Sequence, residues 1–141
     1  MKSFSEINIG DSAEFEVVID EKMHKEFSNL SGDNSPIHCD DDFSKKTLFG
    51  KKIGYAFLLT SFLSRLYGHY LPGGSSVCFK QEASFIKPYY IGDTLNISGK
   101  VVDKIESTRF VIIESRVFRK DECLFKGTGT VQVLFDELGG E

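Results

Sequence analysis

The residues best suited to chemistry lie together in one short stretch, Ser31-Gly32-Asp33-Asn34-Ser35-Pro36-Ile37-His38-Cys39-Asp40. Asp33 stands five positions before His38, and Gly32 and Pro36 restrict the path the backbone can take around them. A carboxylate and an imidazole brought to one spot can hold a water, remove one proton from it and give another back, which is general acid–base catalysis at neutral pH. The same spacing also suits a structural role: an Asp after Gly often closes an Asx turn, and a lone His is often a satisfied structural group. Cys39 lies beside His38 rather than opposite it, which gives no geometry for a thiolate–imidazole pair, and it reads as a small loop residue. With Cys78 and Cys123 it forms no C-x-x-C pair, and no His falls at metal-ligand spacing. That predicts neither a disulfide framework nor a metal site, and fits a reducing compartment.

Elements on both sides must hold such a loop. After the turn Ile9-Gly10-Asp11-Ser12, Ala13 to Ile19 reads as a short strand. Asp20 can cap a helix in which Met23, Phe27 and Leu30 repeat at i, i+4, i+7 to give one apolar stripe, ending at Ser31-Gly32. Residues 31 to 52 are polar and broken by Pro36 and Gly50, so a long loop is expected, with one short helix after Cys39. The next segment, IGYAFLLTSFLSRLYGHYL, has Phe57, Leu58, Phe62, Leu66 and Tyr70 at helical spacing, and Leu59 and Leu63 make it apolar nearly all round. A helix of that kind must be buried by a sheet wrapped about it. Leu71-Pro72-Gly73-Gly74 ends it. Strand-like runs follow at Val77 to Ile86, across the alternating Leu95, Ile97, Gly99 and Val101, at Arg109 to Arg119, and at Leu124 to Leu134. The prediction is an α+β fold: one antiparallel sheet of about five long strands, joined by hairpins and curved round one buried helix. Its open edge favours a homodimer. Leu138-Gly139-Gly140-Glu141 reads as a frayed tail.

Composition narrows the classes of function. The 141 residues suit a single domain spanning 1–141, with its core over about 8–134. Forty per cent apolar residues and thirteen Phe, against 27% charged, mark an ordered globular protein. The net charge of −4, with Lys and Arg scattered among the acids, offers nothing to steer a nucleic acid. The N-terminus lacks the apolar stretch of a secretory signal. The apolar helix meets Arg65, Gly68 and His69 too early to cross a bilayer, so a soluble cytoplasmic protein without membrane attachment is expected.

The stretch from Phe27 to Asp40, FSNLSGDNSPIHCD, resembles the signature of the MaoC-like, (R)-specific enoyl-CoA hydratases, which reads F-A-x-x-[ST]-G-D-x-N-P-[ILV]-H-x-[DE]. The resemblance continues through Thr47 to Ile53, Leu71-Pro72-Gly73, Phe85-Ile86-Lys87-Pro88 and Gly92-Asp93, and covers roughly residues 8 to 134. It implies a hot-dog fold, usually dimeric, and a hydro-lyase acting on a trans-2-enoyl or (R)-3-hydroxyacyl thioester without a cofactor. The thioester would be carried on CoA or on an acyl carrier protein. By the same resemblance Asp33 and His38 are the catalytic positions, supported by Gly32, Ser35 and Pro36, with Ser64 where related hydratases carry a Ser near the site. The oxyanion donor is the backbone N–H opening the central helix, here Ala56 where the family pattern has Gly. Ser35 replaces the pattern's Asn, and Tyr55, where a His or small residue is frequent, together with Phe57 is expected to touch substrate. Lys45, Lys46, Lys51 and Lys52 flank the loop, either as a solvated basic edge or as partners for CoA phosphates. Phe57, Phe62, Tyr67 and Phe79 are candidates for setting acyl chain length. A hot-dog acyl-CoA thioesterase, or a catalytically weak acyl-binding subunit, would share the same fold.

Overall fold

The strands β1 (Ser12–Val18), β2 (Ser76–Phe85), β3 (Thr94–Ile105), β4 (Phe110–Arg119) and β5 (Glu122–Val133) form one antiparallel sheet in a computed structural model that describes residues 2–134. Their spatial order is β1-β3-β4-β5-β2. Hairpins join β3 to β4 and β4 to β5. The expected hairpin pairing does not extend to β2, which crosses the sheet and pairs with β5 from Ser76 opposite Val133 to Phe85 opposite Phe125. The predicted tail at Leu138 to Glu141 lies outside the described residues.

Alternation decides which face of the sheet is wet. Leu95, Ile97 and Val101 on β3, Val111, Ile113 and Val117 on β4, and Val131 and Val133 on β5 all point to one side and are buried there. The helix α4 (Ala56–Arg65), extended by a wider turn over Leu66–Tyr70, lies across that face. Leu58, Leu59, Leu63, Leu66 and Tyr67 are its contribution to the core. Small residues in the sheet let it approach: a Cβ at Gly99 would lie 2.9 Å from Leu66 Cδ2. The helix is not covered all round as its composition suggested. Phe57 is 73% exposed, and Ser61, Ser64 and Arg65 also face outward, because the sheet of one chain wraps only one side of it.

The helix α1 (Glu21–Ser31) begins where Asp20 accepts a hydrogen bond from the Met23 N–H at 2.9 Å, and ends at Gly32 in the left-handed region with φ 77°. Its buried stripe differs from the expected one. Leu30 is exposed, Met23 and Phe27 pack at the edge of the core, and His24 is the fully buried member. Two short helices, not one, occupy the long loop: α2 (Pro36–Cys39), with Pro36 at its first position, and α3 (Asp41–Lys45), where Asp40 accepts from the Phe43 N–H at 3.0 Å.

Candidate active site

Gly32 turns the chain out of α1, and its N–H still bonds to the Ser28 carbonyl at 2.9 Å. The next residue, Asp33, is exposed, and its Oδ1 accepts the Ser35 N–H at 3.0 Å. That bond, reinforced by the Ser35 hydroxyl and by the nearby His38 imidazole, holds the Asp33 carboxyl below the usual carboxylate range, slight desolvation opposing it. The Asx turn and a charged, solvent-facing carboxylate are thus one arrangement. Ser35 keeps the turn closed through its main chain. Pro36 starts α2, and its carbonyl accepts both the Asp40 N–H at 2.9 Å and the Ser44 hydroxyl at 3.3 Å.

His38 follows within α2. Its Nδ1 lies 2.8 Å from the Ile53 carbonyl oxygen. A carbonyl only accepts, so Nδ1 carries a proton, and it is Nε2 that an imidazole held this way would use as a base. Ile53 precedes α4 by three residues, so this bond ties the imidazole to the start of the central helix. There Ala56 takes the first helical position, where an N–H has no partner within the helix, and no side chain caps this end. The helix dipole adds partial positive charge to the same spot. A carboxylate, an imidazole and an uncapped helix N-terminus therefore lie on neighbouring turns of backbone.

The remaining predicted residues separate. Tyr55 is 2% exposed and lies beneath the loop instead of at a pocket mouth, so it offers no free face to a substrate. Phe57 is exposed and meets the Phe85 ring edge-on at 6.3 Å. Ser64, two turns along α4, lines a cavity of about 400 Å³ with Thr60, Leu63, Tyr67, Gln81 and Val131. The Tyr67 hydroxyl closes one side of it by donating to Gln81 Oε1 at 2.6 Å. Phe62 is half-buried and Phe79 exposed. Lys52 reaches Glu21 at 3.5 Å and Asp41 at 3.8 Å, and Lys51 sits over the Tyr90 ring at 4.4 Å, while Lys45 and Lys46 remain solvated. Cys39, Cys78 and Cys123 are all free. A larger, open depression near Arg119 carries Lys87, Asp93 and Glu122, but these charges pair with one another, with Arg119 bonded to Asp93 at 2.8 Å and to Glu122 at 2.5 Å. Among the described residues no cluster of His, Cys, Asp or Glu could hold a metal ion, and no helix is long and apolar enough to cross a membrane.

His24 went unmarked by spacing. It is 3% exposed, its Nε2 lies 2.9 Å from the His38 carbonyl oxygen, and its ring is 4.7 Å from that of Tyr55. The available signal was its place between Met23 and Phe27 on the inner face of α1.

A curled antiparallel sheet laid about a central helix is the hot-dog fold. Residues 5–119 match the MaoC like domain, and the chain belongs to that family. It is 29% identical over 130 residues to an (R)-specific enoyl-CoA hydratase of Rhodospirillum rubrum, covering 92% of this chain and 90% of the relative. A second (R)-specific enoyl-CoA hydratase, from Aeromonas caviae, is 33% identical over 98 residues, 70% of this chain and 73% of the relative. Among solved structures, the (R)-hydratase from A. caviae involved in PHA biosynthesis superposes with a TM-score of 0.87 at 27% identity, covering 91% of this chain and 98% of that one.

Proposed function

We propose that the chain is a hydro-lyase that adds water to a trans-2-enoyl thioester, or removes it from an (R)-3-hydroxyacyl thioester, with CoA as the carrier. The observation that supports this reading is the tether of His38: the Ile53 carbonyl, 2.8 Å from Nδ1, leaves Nε2 as the nitrogen free to act and ties the ring to the segment that opens α4. In the forward direction, water rests between the Asp33 carboxylate and His38. Nε2 takes one water proton while the oxygen bonds to the β-carbon, and the electron pair of the double bond moves to the thioester as an enolate. The Ala56 N–H, at the positive end of α4, stabilises the charge on the thioester oxygen. The imidazolium, offset by Asp33, then returns its proton to the α-carbon. Acid, base and oxyanion donor all come from the chain, so the step needs neither cofactor nor metal.

The acyl tail runs along α4 into the cavity beside Ser64. The protein works as a homodimer: β2 is an open edge with Val77, Phe79, Phe85 and Ile86 exposed, and the bare flank of α4 around Phe57 adjoins it. The names of the Rhodospirillum and Aeromonas relatives support this activity over thioester hydrolysis. The test is hydration of crotonyl-CoA, followed by loss of the enoyl-thioester absorbance and by product chirality. Asp33→Asn and His38→Gln should each lose at least about a hundredfold in kcat, the span assigned to a general acid or base, while remaining folded. Parental rates in both variants, or thiol release in place of hydration, would overturn the proposal.

A further inference from the structure

Tyr55 and His24 sit directly beneath the loop, and neither reaches solvent. The Tyr55 hydroxyl donates to the Asp33 carbonyl, and its ring stacks on the His38 imidazole with centroids 4.1 Å apart and planes 27° from parallel. Its own carbonyl accepts the Tyr89 hydroxyl at 2.8 Å and the Leu59 N–H at 3.2 Å. Tyr55 also directly precedes Ala56. One immobilised residue therefore touches all three groups that the proposed reaction uses. His24 acts on the other end of the loop. Its Nε2 meets the His38 carbonyl at 2.9 Å, so that nitrogen carries the proton and donates, whereas the buried Nδ1 has no hydrogen-bond partner. A buried polar atom left unpaired is a cost that packing alone would remove with an apolar residue of similar size. An imidazole here is explained by the one bond it makes, and that bond goes to the main chain of His38.

We infer that Tyr55 and His24 are positioning residues of the active site. Tyr55 fixes the Asp33 main chain and the His38 ring relative to the start of α4, and His24 fixes the His38 main chain. This rests on the proposed roles of Asp33 and His38.

The experiment compares Tyr55→Phe, His24→Asn and His24→Gln with the parent, using crotonyl-CoA for kcat and KM and thermal melting for the fold. Gln places an N–H where Nε2 now lies, whereas Asn is too short to do so. Displacing a reacting group by about 1 Å costs on the order of a hundredfold in rate, so Tyr55→Phe and His24→Asn should lower kcat by about ten- to a hundredfold with KM within about threefold. His24→Gln should restore most of the loss. If Asp33→Asn and His38→Gln are inactive but Tyr55→Phe and His24→Asn keep the parental kcat, the positioning roles are wrong and the catalytic assignment stands. A kcat loss that merely follows a fall in melting temperature, or that His24→Gln fails to repair, also refutes positioning. Full activity in Asp33→Asn and His38→Gln removes the catalytic assignment and this inference with it.

Discussion

Gly54→Ala should test how tightly the helix start is strapped to the sheet. Gly54 donates its N–H to the Tyr89 carbonyl at 2.8 Å, and the Tyr89 ring, 2% exposed, crosses directly over the Gly54 α-carbon. A methyl built there would lie 2.6 Å from Tyr89 Cδ2 and closer still to Cε2 and Cζ. Carbon atoms in contact normally sit about 3.5–4.0 Å apart, so the ring must retreat by about 1 Å or more. It cannot do so freely, because the Tyr89 hydroxyl is bonded to the Tyr55 carbonyl at 2.8 Å. Overpacking costs about 1–3 kcal/mol and a broken buried hydrogen bond about the same again, so the variant should lose about 2–6 kcal/mol. For a chain of this size that corresponds to a fall in Tm of roughly 6–18 °C, read by circular dichroism on heating. In the double variant Gly54→Ala with Tyr89→Leu, the removed ring should make the two losses less than additive. A Gly54→Ala protein that melts within about 2 °C of the parent would refute the argument, since about 1 kcal/mol is worth more than that.

Two further outcomes follow from the same structure. Burial pushes the Tyr55 hydroxyl up to about 12, and burial raises Tyr67 and Tyr89 as well. The unfolded chain ionises these groups first, near pH 10, so their contribution to stability is complete below about pH 10 and is lost as pH climbs toward 12. Urea midpoints measured from about pH 9 to 11 should therefore fall, and less steeply in Tyr55→Phe; a constant midpoint contradicts the burial of these rings. Phe79→Lys and Phe85→Lys, on the exposed β2 edge, should halve the mass seen by analytical ultracentrifugation, and a parent protein that sediments as a single chain would remove the proposed dimer.

Much of the framework was legible because its signals are local. The cap at Asp20, the stop at Gly32 and the alternation along β3 and β5 each depend on a few adjacent residues, and each falls where the sequence placed it. Pairing was less legible: β2 seeks β5 and not β3, and no feature of residues 76–85 names its partner. The short helix expected after Cys39 is α3; α2, before it, was not legible because Asp40 serves twice, closing α2 and capping α3 within one residue. At the site, Asp33 and His38 stood out by type and spacing. His24 did not, because a histidine on an amphipathic helix looks solvent-facing until the fold puts it under another backbone, and the hydroxyl of Tyr55 is aimed by contacts 22 residues distant.

The strand order has a consequence for synthesis. The edge strand made second in the chain can zip only against the strand made last, so its backbone N–H and C=O groups leave the ribosome with no ladder partner. They must wait until residues 122–133 have emerged, and any chain halted before Glu122 carries a permanently sticky ribbon. The final dozen residues of the sheet thus act as its clasp, and a premature stop there should yield aggregate instead of a shortened enzyme.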